Sequence, residues 1–188
     1  TVVALGKIGL PLAVQFARMG HHVVGTDVNA TTVAQVNAGE EPFPGEAQLA
    51  TELKKVVNSG HLVATTDTSA AVADSEAVVL VVPVFVDADG VPDFGWMDSA
   101  TRDAAAGLKP GTLVSYETTL PIGSTRQRFG PMLAQGSGLV AGRDFALVFS
   151  PERVFTGRVF ADLRKYPKLV GGIDGASTRE GVDFYSSV

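Results

Sequence analysis

The sequence predicts an α/β fold, a doubly wound and mostly parallel sheet with helices on both faces. Three observations predict it. Apolar runs of strand length alternate with segments of helical periodicity along the whole chain. One of those runs, Ala77 to Val82, is apolar throughout, as a strand buried on both faces must be. The opening stretch, TVVALGKIGLPLAVQFARMGHHVVGTD, reads as strand, glycine turn, helix, strand and acidic stop in that order. The expected strand order is 3-2-1-4-5-6.

Thr1 to Leu5 is the first strand, and it ends at the turn Gly6-Lys7-Ile8-Gly9. From Leu10 onward Leu12, Ala13, Phe16, Ala17 and Met19 follow helical spacing, and Gly20 closes that helix. His22 to Gly25 is the second strand, with Asp27 at its end. Without a Cβ, Gly6 lets the backbone approach a pyrophosphate, and Gly9 lets the helix pack close to the strand. The free N–H groups of the helix N-terminus then face the phosphates. Asp27 lies 18 residues beyond Gly9, close to the spacing of roughly 20 at which an acid accepts hydrogen bonds from a ribose 2′-hydroxyl. A carboxylate there repels a 2′-phosphate, and neither Arg nor Lys follows in Val28-Asn29-Ala30. These residues therefore read as a Rossmann-like half-site for NAD rather than NADP, against the plainer alternative of a structural glycine turn. Ala4 stands where G-x-G-x-x-G has its first glycine. It is expected to turn with a negative φ and to weaken binding at most.

Thr31 to Asn37 is helical, EEPFPG (40–45) is a proline-punctuated loop, and Glu46 to Val57 is a helix with Leu49, Leu53 and Val56 on one face. Leu62 to Thr65 is a strand, and Asp67 or Thr68 caps a helix through Val72 and Ala73. After the apolar strand comes VFVDADGVPD (84–93). A calcium loop starting at Asp87 would put Val91 fifth, Pro92 sixth and Asp98 twelfth, all wrong for that motif. A turn at Asp89-Gly90 between two short extended pieces is the better reading, and that flap would lie beside the nucleotide. Trp96 to Leu108 is a helix and Thr112 to Tyr116 a strand. The hydroxyls of Thr118, Thr119 and Ser124 then stand at a strand's carboxyl end, where they either meet a ligand or cap the helix from Ser124 to Leu133. Phe145 to Phe149 is a strand that delivers SPERVFTGR (150–158). Glu152 has Arg153 and Arg158 beside it, and an ion pair with them is the plainer reading of that carboxylate. Leu169 to Ile173 is a last short strand. Ala176 to Tyr185 starts a helix.

The chain has 188 residues, 45% of them hydrophobic and 19% charged, with a net charge of −5. Those are globular values with room for one main core. The negative balance speaks against nucleic acid or an anionic membrane as partner. No run is long enough to span a bilayer and no signal peptide is visible, so a cytoplasmic location is expected. There is no cysteine, hence no disulfide, thiolate metal site or cysteine nucleophile within these residues. His21, His22 and His61 form no ligand cluster, so no metal is expected.

Four segments together resemble the N-terminal NAD-binding domain of the nucleotide-sugar dehydrogenases, the UDP-glucose and UDP-N-acetyl-D-mannosamine 6-dehydrogenase family. They are ALGKIGLPLA (4–13), VPVFVDADGVPD (82–93), ETTLPIGSTR (117–126) and SPERVFTGR with YPKLVGG (150–158, 166–172). The resemblance implies an NAD-binding Rossmann domain over 1–173, with 174–188 starting a helix toward a central domain. The P-E-R-V form is closer to the N-acetylmannosamine type than to the glucose type. Such enzymes oxidise the C6 hydroxyl of a UDP-sugar to a carboxylate with two NAD and one water, through an aldehyde and a cysteine thioester. By resemblance Lys7 and Ile8 are the cofactor-contacting turn and Asp27 the ribose partner, while Val84 and Thr119 border the nicotinamide half. Glu152 positions or deprotonates the water, and Arg153 with Val154 touches the sugar nucleotide. Val84 stands where many members have threonine. The nucleophilic cysteine and its helpers lie in portions of the family beyond this chain, so these residues alone are expected to show no full turnover. A homodimer is expected of the whole enzyme. Two rivals remain at this stage: another NAD enzyme of the β-hydroxyacid dehydrogenase type, and a non-catalytic Rossmann regulatory module.

Overall fold

The computed structural model describes residues 1–188. Strand β1 (Val2–Val3) leads into helix α1 (Gly9–Arg18), and β2 (Val23–Thr26) is followed by α2 (Ala30–Asn37) and α3 (Leu49–Asn58). Then come β3 (Leu62–Thr65), α4 (Thr68–Ala73) and β4 (Ala77–Leu80). A hairpin of β5 (Phe85–Val86) and β6 (Pro92–Asp93) precedes α5 (Gly95–Gly107) and β7 (Leu113–Tyr116). A π-helical segment, Thr125–Phe129, runs into α6 (Gly130–Ser137), and β8 (Ala146–Phe149), α7 (Val159–Lys165), β9 (Gly171–Gly172) and α8 (Gly175–Ser186) complete the chain.

The seven-stranded sheet has the order β3-β2-β1-β4-β7-β8-β9, with every pair parallel except β8–β9. The expected order holds once the hairpin is set aside, and the last strand is added antiparallel. Side chains alternate between two cores because successive strand residues point to opposite faces. Val2 and Val79 join the side packed by α1, α2 and α3, whereas Val3, Val78, Leu80, Val114 and Tyr116 join the side packed by α4, α5 and α6. Each such buried aliphatic side chain contributes about 1.5–3 kcal/mol, so the two-faced burial of β4 is what fixes it near the sheet centre. Leu49, Leu53 and Val56 form the buried stripe of α3 as their spacing requires.

Caps set several boundaries. Asn29 accepts the Thr31 N–H and Asp67 the Ala70 N–H, each at 2.9 Å, while Gly20 at φ +96° ends the turn after α1. Ser124 makes no side-chain cap, and Thr118 donates its hydroxyl to the Val82 carbonyl instead. The capping alternative for these hydroxyls is thereby corrected: Ser124 itself has helical dihedrals, φ −54° and ψ −46°, where a capping side chain needs an extended backbone. Helix α7 is not expected from the sequence. It has only seven residues, with Val159, Phe160 and Asp162 buried, too few to display a period. No helix is long and apolar enough to cross a membrane.

Candidate active site at the carboxyl edge of the sheet

Parallel strands end on one edge, and the loops that leave that edge gather residues far apart in sequence. Asp27 follows β2, the Gly6 turn follows β1, Val84 follows β4, Thr119 follows β7 and Glu152 follows β8. These strands are consecutive in the sheet. At ~4.8 Å per strand the row from β2 to β8 is about 19 Å long.

At the β1 turn the geometry departs from expectation. Ala4 has φ +76°, in the left-handed region, not the negative φ expected. The reason is the close approach across the turn. A Cβ on Gly9 would lie 1.9 Å from the Ala4 carbonyl oxygen, so the Ala4 peptide is tucked against the bare Cα of Gly9. Holding an alanine there costs about 1–2 kcal/mol. Gly6 differs, because nothing lies within 4 Å of where its Cβ would stand. Its bare face looks onto open space.

The N–H groups of Gly6, Lys7, Ile8 and Gly9 have no acceptor in the protein, and α1 has neither a side-chain cap nor an acid in its first turn. Four unpaired amides at the positive end of a helix make a site for an anion. Asp27 is held by the backbone: Oδ2 accepts the Leu5 N–H and Oδ1 the Asn29 N–H, both at 2.9 Å. Its remaining lone pairs face a cavity of about 400 Å³ bordered by Gly6, Val28, Pro83, Trp96 and Asp103. Trp96 is 64% exposed, and the hairpin residue Phe85 meets it edge-on at 5.5 Å. The sequence places Trp96 only as a helix start. Open amides, a bare Gly6, a tethered acid and an apolar-walled cavity together fit the phosphates, ribose and adenine of NAD. Lys7 is exposed without an ion pair, and Ile8 packs partly on the α1 core. Val84 packs on the opposite core and does not line this cavity. Thr119 is exposed and its hydroxyl has no partner in the protein.

The β8 end is a network of charges. Glu152 Oε1 accepts the Arg153 backbone N–H at 2.8 Å, and Oε2 accepts Lys168 Nζ at 2.5 Å. The expected pair with Arg153 and Arg158 side chains is corrected: Arg153 donates to the Pro167 carbonyl, and Arg158 pairs with Asp162 at 3.0 Å. Each arginine is taken up by another acceptor, so closeness in sequence did not make either a partner of Glu152. Lys168 also donates to Glu117 at 2.7 Å, and Glu117 accepts the Tyr185 hydroxyl at 2.6 Å. Burial pushes the Glu117 carboxyl up to about 7, against the Lys168 ammonium and reinforced by Glu152. Burial and the Glu117 carboxylate push the Tyr185 phenol well above its usual value. Below this network Glu46 accepts the Gly157 and Val159 N–H groups, each at 2.7 Å, fixing the loop that carries Val154 to the start of α7. Sequence reasoning missed Glu117, Lys168, Tyr185 and Glu46. Glu117 and Lys168 lie inside segments it singled out, while Tyr185 and Glu46 carry no local signal.

His22 and His61 stack at 5.1 Å where β2 and β3 begin, at the end of the sheet away from this edge.

A sequence profile for the UDP-glucose/GDP-mannose dehydrogenase family, NAD binding domain, matches residues 1–188. The chain is 32% identical over 186 residues to UDP-N-acetyl-D-mannosamine dehydrogenase of Pyrococcus horikoshii, covering 99% of this chain and 44% of that enzyme. It superposes on NDP-N-acetyl-D-galactosaminuronic acid dehydrogenase from Methanosarcina mazei with a TM-score of 0.93 at 35% identity, over 99% of this chain and 41% of the other. A ternary complex of GDP-mannose dehydrogenase from Pseudomonas aeruginosa gives 0.92 at 25% identity, over 100% and 44%. The chain thus spans less than half the length of the relatives it matches. With open amides at the β1 turn, a tethered carboxylate after β2 and a match from first residue to last, the chain belongs to the UDP-glucose/GDP-mannose dehydrogenase family and is its NAD-binding domain.

Proposed function

We propose that this domain serves a UDP-sugar 6-dehydrogenase, of the UDP-N-acetylmannosamine type in preference to UDP-glucose. The observation that carries the reading is the row along the sheet edge, which runs from the Asp27 carboxylate past open amides to Glu152 and its charge network. A dinucleotide and a sugar laid end to end need such a row. The P-E-R-V segment and the P. horikoshii relative support the N-acetylmannosamine type.

The net reaction takes a primary alcohol, one water and two NAD⁺ to a carboxylate, two NADH and three protons. NAD, when bound, supplies the hydride acceptor for each oxidation. The chain's own residues do the rest of what is assigned here. Gly6, Lys7, Ile8 and Gly9 hold the pyrophosphate through backbone amides, and Asp27 takes the adenosine ribose. Val84 and Thr119 border the nicotinamide half, where the exposed Thr119 hydroxyl is available to the reacting groups. Glu152 aims or deprotonates the water consumed in the second oxidation, and Arg153 and Val154 contact the sugar nucleotide. The cysteine for the thioester must come from outside these residues, since they contain none. The whole enzyme would be a homodimer working in the cytoplasm on a small-molecule substrate.

Calorimetric titration of this chain with NAD and NADP tests the cofactor half of the reading. NAD should bind and NADP should not, and Asp27→Ala should erase the difference. NADH formation by the whole enzyme with UDP-N-acetylmannosamine and with UDP-glucose tests the rest: two NADH per N-acetylmannosamine substrate is expected. Turnover only with UDP-glucose would overturn the substrate assignment.

A further inference from the structure

Glu152 is touched by Lys168, by the Arg153 N–H and by the Glu117 carbonyl, and further contacts hold Lys168 and Glu117 in place. Lys168 approaches from the segment before β9, and its ammonium is shared between Glu152 Oε2 and Glu117 Oε2, at 2.5 and 2.7 Å. Glu117, at the end of β7, is fully buried, and its backbone carbonyl accepts the Glu152 N–H at 3.0 Å. From α8 the Tyr185 hydroxyl bonds both Glu117 and the Ser115 hydroxyl, and its ring lies 4.8 Å from Lys168 Nζ. Finally, the Ser150 hydroxyl donates to the Leu169 carbonyl at 2.7 Å, pinning the chain beside Lys168.

Two acids sharing one sequestered ammonium form an expensive arrangement, because each charge loses water. Neutralising Glu152 would not require it. Arg153 and Arg158 stand close in sequence and could have paired with Glu152 in solvent at little desolvation cost, yet both are engaged elsewhere. What the half-buried lysine adds over a surface arginine is a fixed position.

We propose that Lys168, tied down by the buried Glu117, is a positioning residue: it fixes the Glu152 carboxylate in the orientation from which it meets the water of the second oxidation. This rests on the role given to Glu152 above. The titratable groups that face Glu117 are Lys168, Glu152 and Tyr185. Burial raises the Glu117 carboxyl to about 7, so the acid that ties down Lys168 changes charge near neutral pH.

Two arms test this separately. In the chain labelled with ¹³C at the glutamate carboxyls, Lys168→Met should move the Glu117 titration upward by about 1–3 units, and Lys168→Arg should leave it near the wild-type position. An unmoved Glu117 in the Met variant overturns the clamp itself. In the whole enzyme, Lys168→Met should lower kcat by about 10–100-fold, as a misplaced group does, with KM for the UDP-sugar within about twofold and the kcat–pH profile displaced. Lys168→Arg keeps the charge and should recover most of kcat, so the conclusion does not hang on how the Met variant folds. An unchanged kcat, a change in KM alone, or no recovery with arginine overturns the positioning role. Should wild-type enzyme oxidise no UDP-sugar while the carboxyl titration moves as expected, the functional reading fails and the clamp survives as a structural feature.

Discussion

Two glycines three residues apart are predicted to fail in opposite ways when each gains one methyl group. At Gly6 the new Cβ meets nothing within 4 Å, so Gly6→Ala should fold as well as wild type. Restricting the unfolded chain could even add about 0.4–1 kcal/mol. On the proposed path of the pyrophosphate that methyl stands in the way, and losing one charge-assisted amide contact is worth about 1.5–3 kcal/mol, or roughly a 10–100-fold rise in the Kd for NAD. At Gly9 the Cβ would stand 1.9 Å from the Ala4 carbonyl oxygen, whose peptide already sits at φ +76°. The helix and the strand must part by about 1.5 Å to admit it, and overpacking of that kind costs about 1–3 kcal/mol or more. Thermal unfolding by circular dichroism reads the second effect. Quenching of Trp96, the only tryptophan, reads the first, with calorimetry as a check. If Gly6→Ala folds normally and binds NAD within twofold of wild type, the phosphates do not cross that glycine and the site as described is wrong.

Replacing the strained alanine should stabilise the domain: Ala4→Gly relieves about 1–2 kcal/mol of left-handed strain and returns about 0.5–1 kcal/mol as backbone entropy. A net gain of several tenths to 1 kcal/mol in denaturant unfolding is expected, and a loss would refute the strain. The Glu117 carboxyl, raised from its ordinary 4.5 to about 7, binds its proton more tightly folded than unfolded. Its contribution to stability is therefore complete below about pH 4.5 and lost as pH rises through about 7. Melts of wild type and Glu117→Gln between pH 4 and 8 should show that decline only in wild type, and a parallel slope in both would refute it.

The fold was legible because periodicity reports burial. The apolar run 77–82 and the stripe Leu49, Leu53, Val56 needed no partner to be read. The close approach at Gly9 was legible for a similar reason, since it follows from the absence of a Cβ at one place. What was hidden depended on distant chain. The sign of φ at Ala4 is set by how closely α1 approaches β1, which composition cannot express. Glu46 bonds amides 111 and 113 residues away. Tyr185 reaches Glu117 across 68 residues, and nothing around either tyrosine or glutamate distinguishes a buried polar pair from two surface residues.

The partner of Glu152 was hidden by strand direction, and that direction is also what makes the site possible. Every strand of the seven-stranded sheet but β9 runs parallel, so each begins at the far edge and delivers its loop at the site. Had β9 followed the same rule, its start would lie beside Ala146, and Lys168, three residues earlier, would stand roughly 20 Å from the carboxyl end of β8 at ~3.3 Å per residue. Instead β9 runs antiparallel, with Gly171 opposite Phe149 and Gly172 opposite Val148. The chain must therefore re-enter the sheet from the site edge, passing Glu152 as it does so. Two glycines with almost no side-chain surface suffice for this strand because its service is to turn the preceding segment back over β8. Gly172 cannot carry a larger residue, since a Cβ would meet the Thr178 amide nitrogen at 2.3 Å, and α8 is packed directly behind it. The same reversal that brings Lys168 to Glu152 thus also lays α8 against β7, β8 and β9 and puts Tyr185 within reach of Glu117, so the clamp and the end of the sheet are one construction.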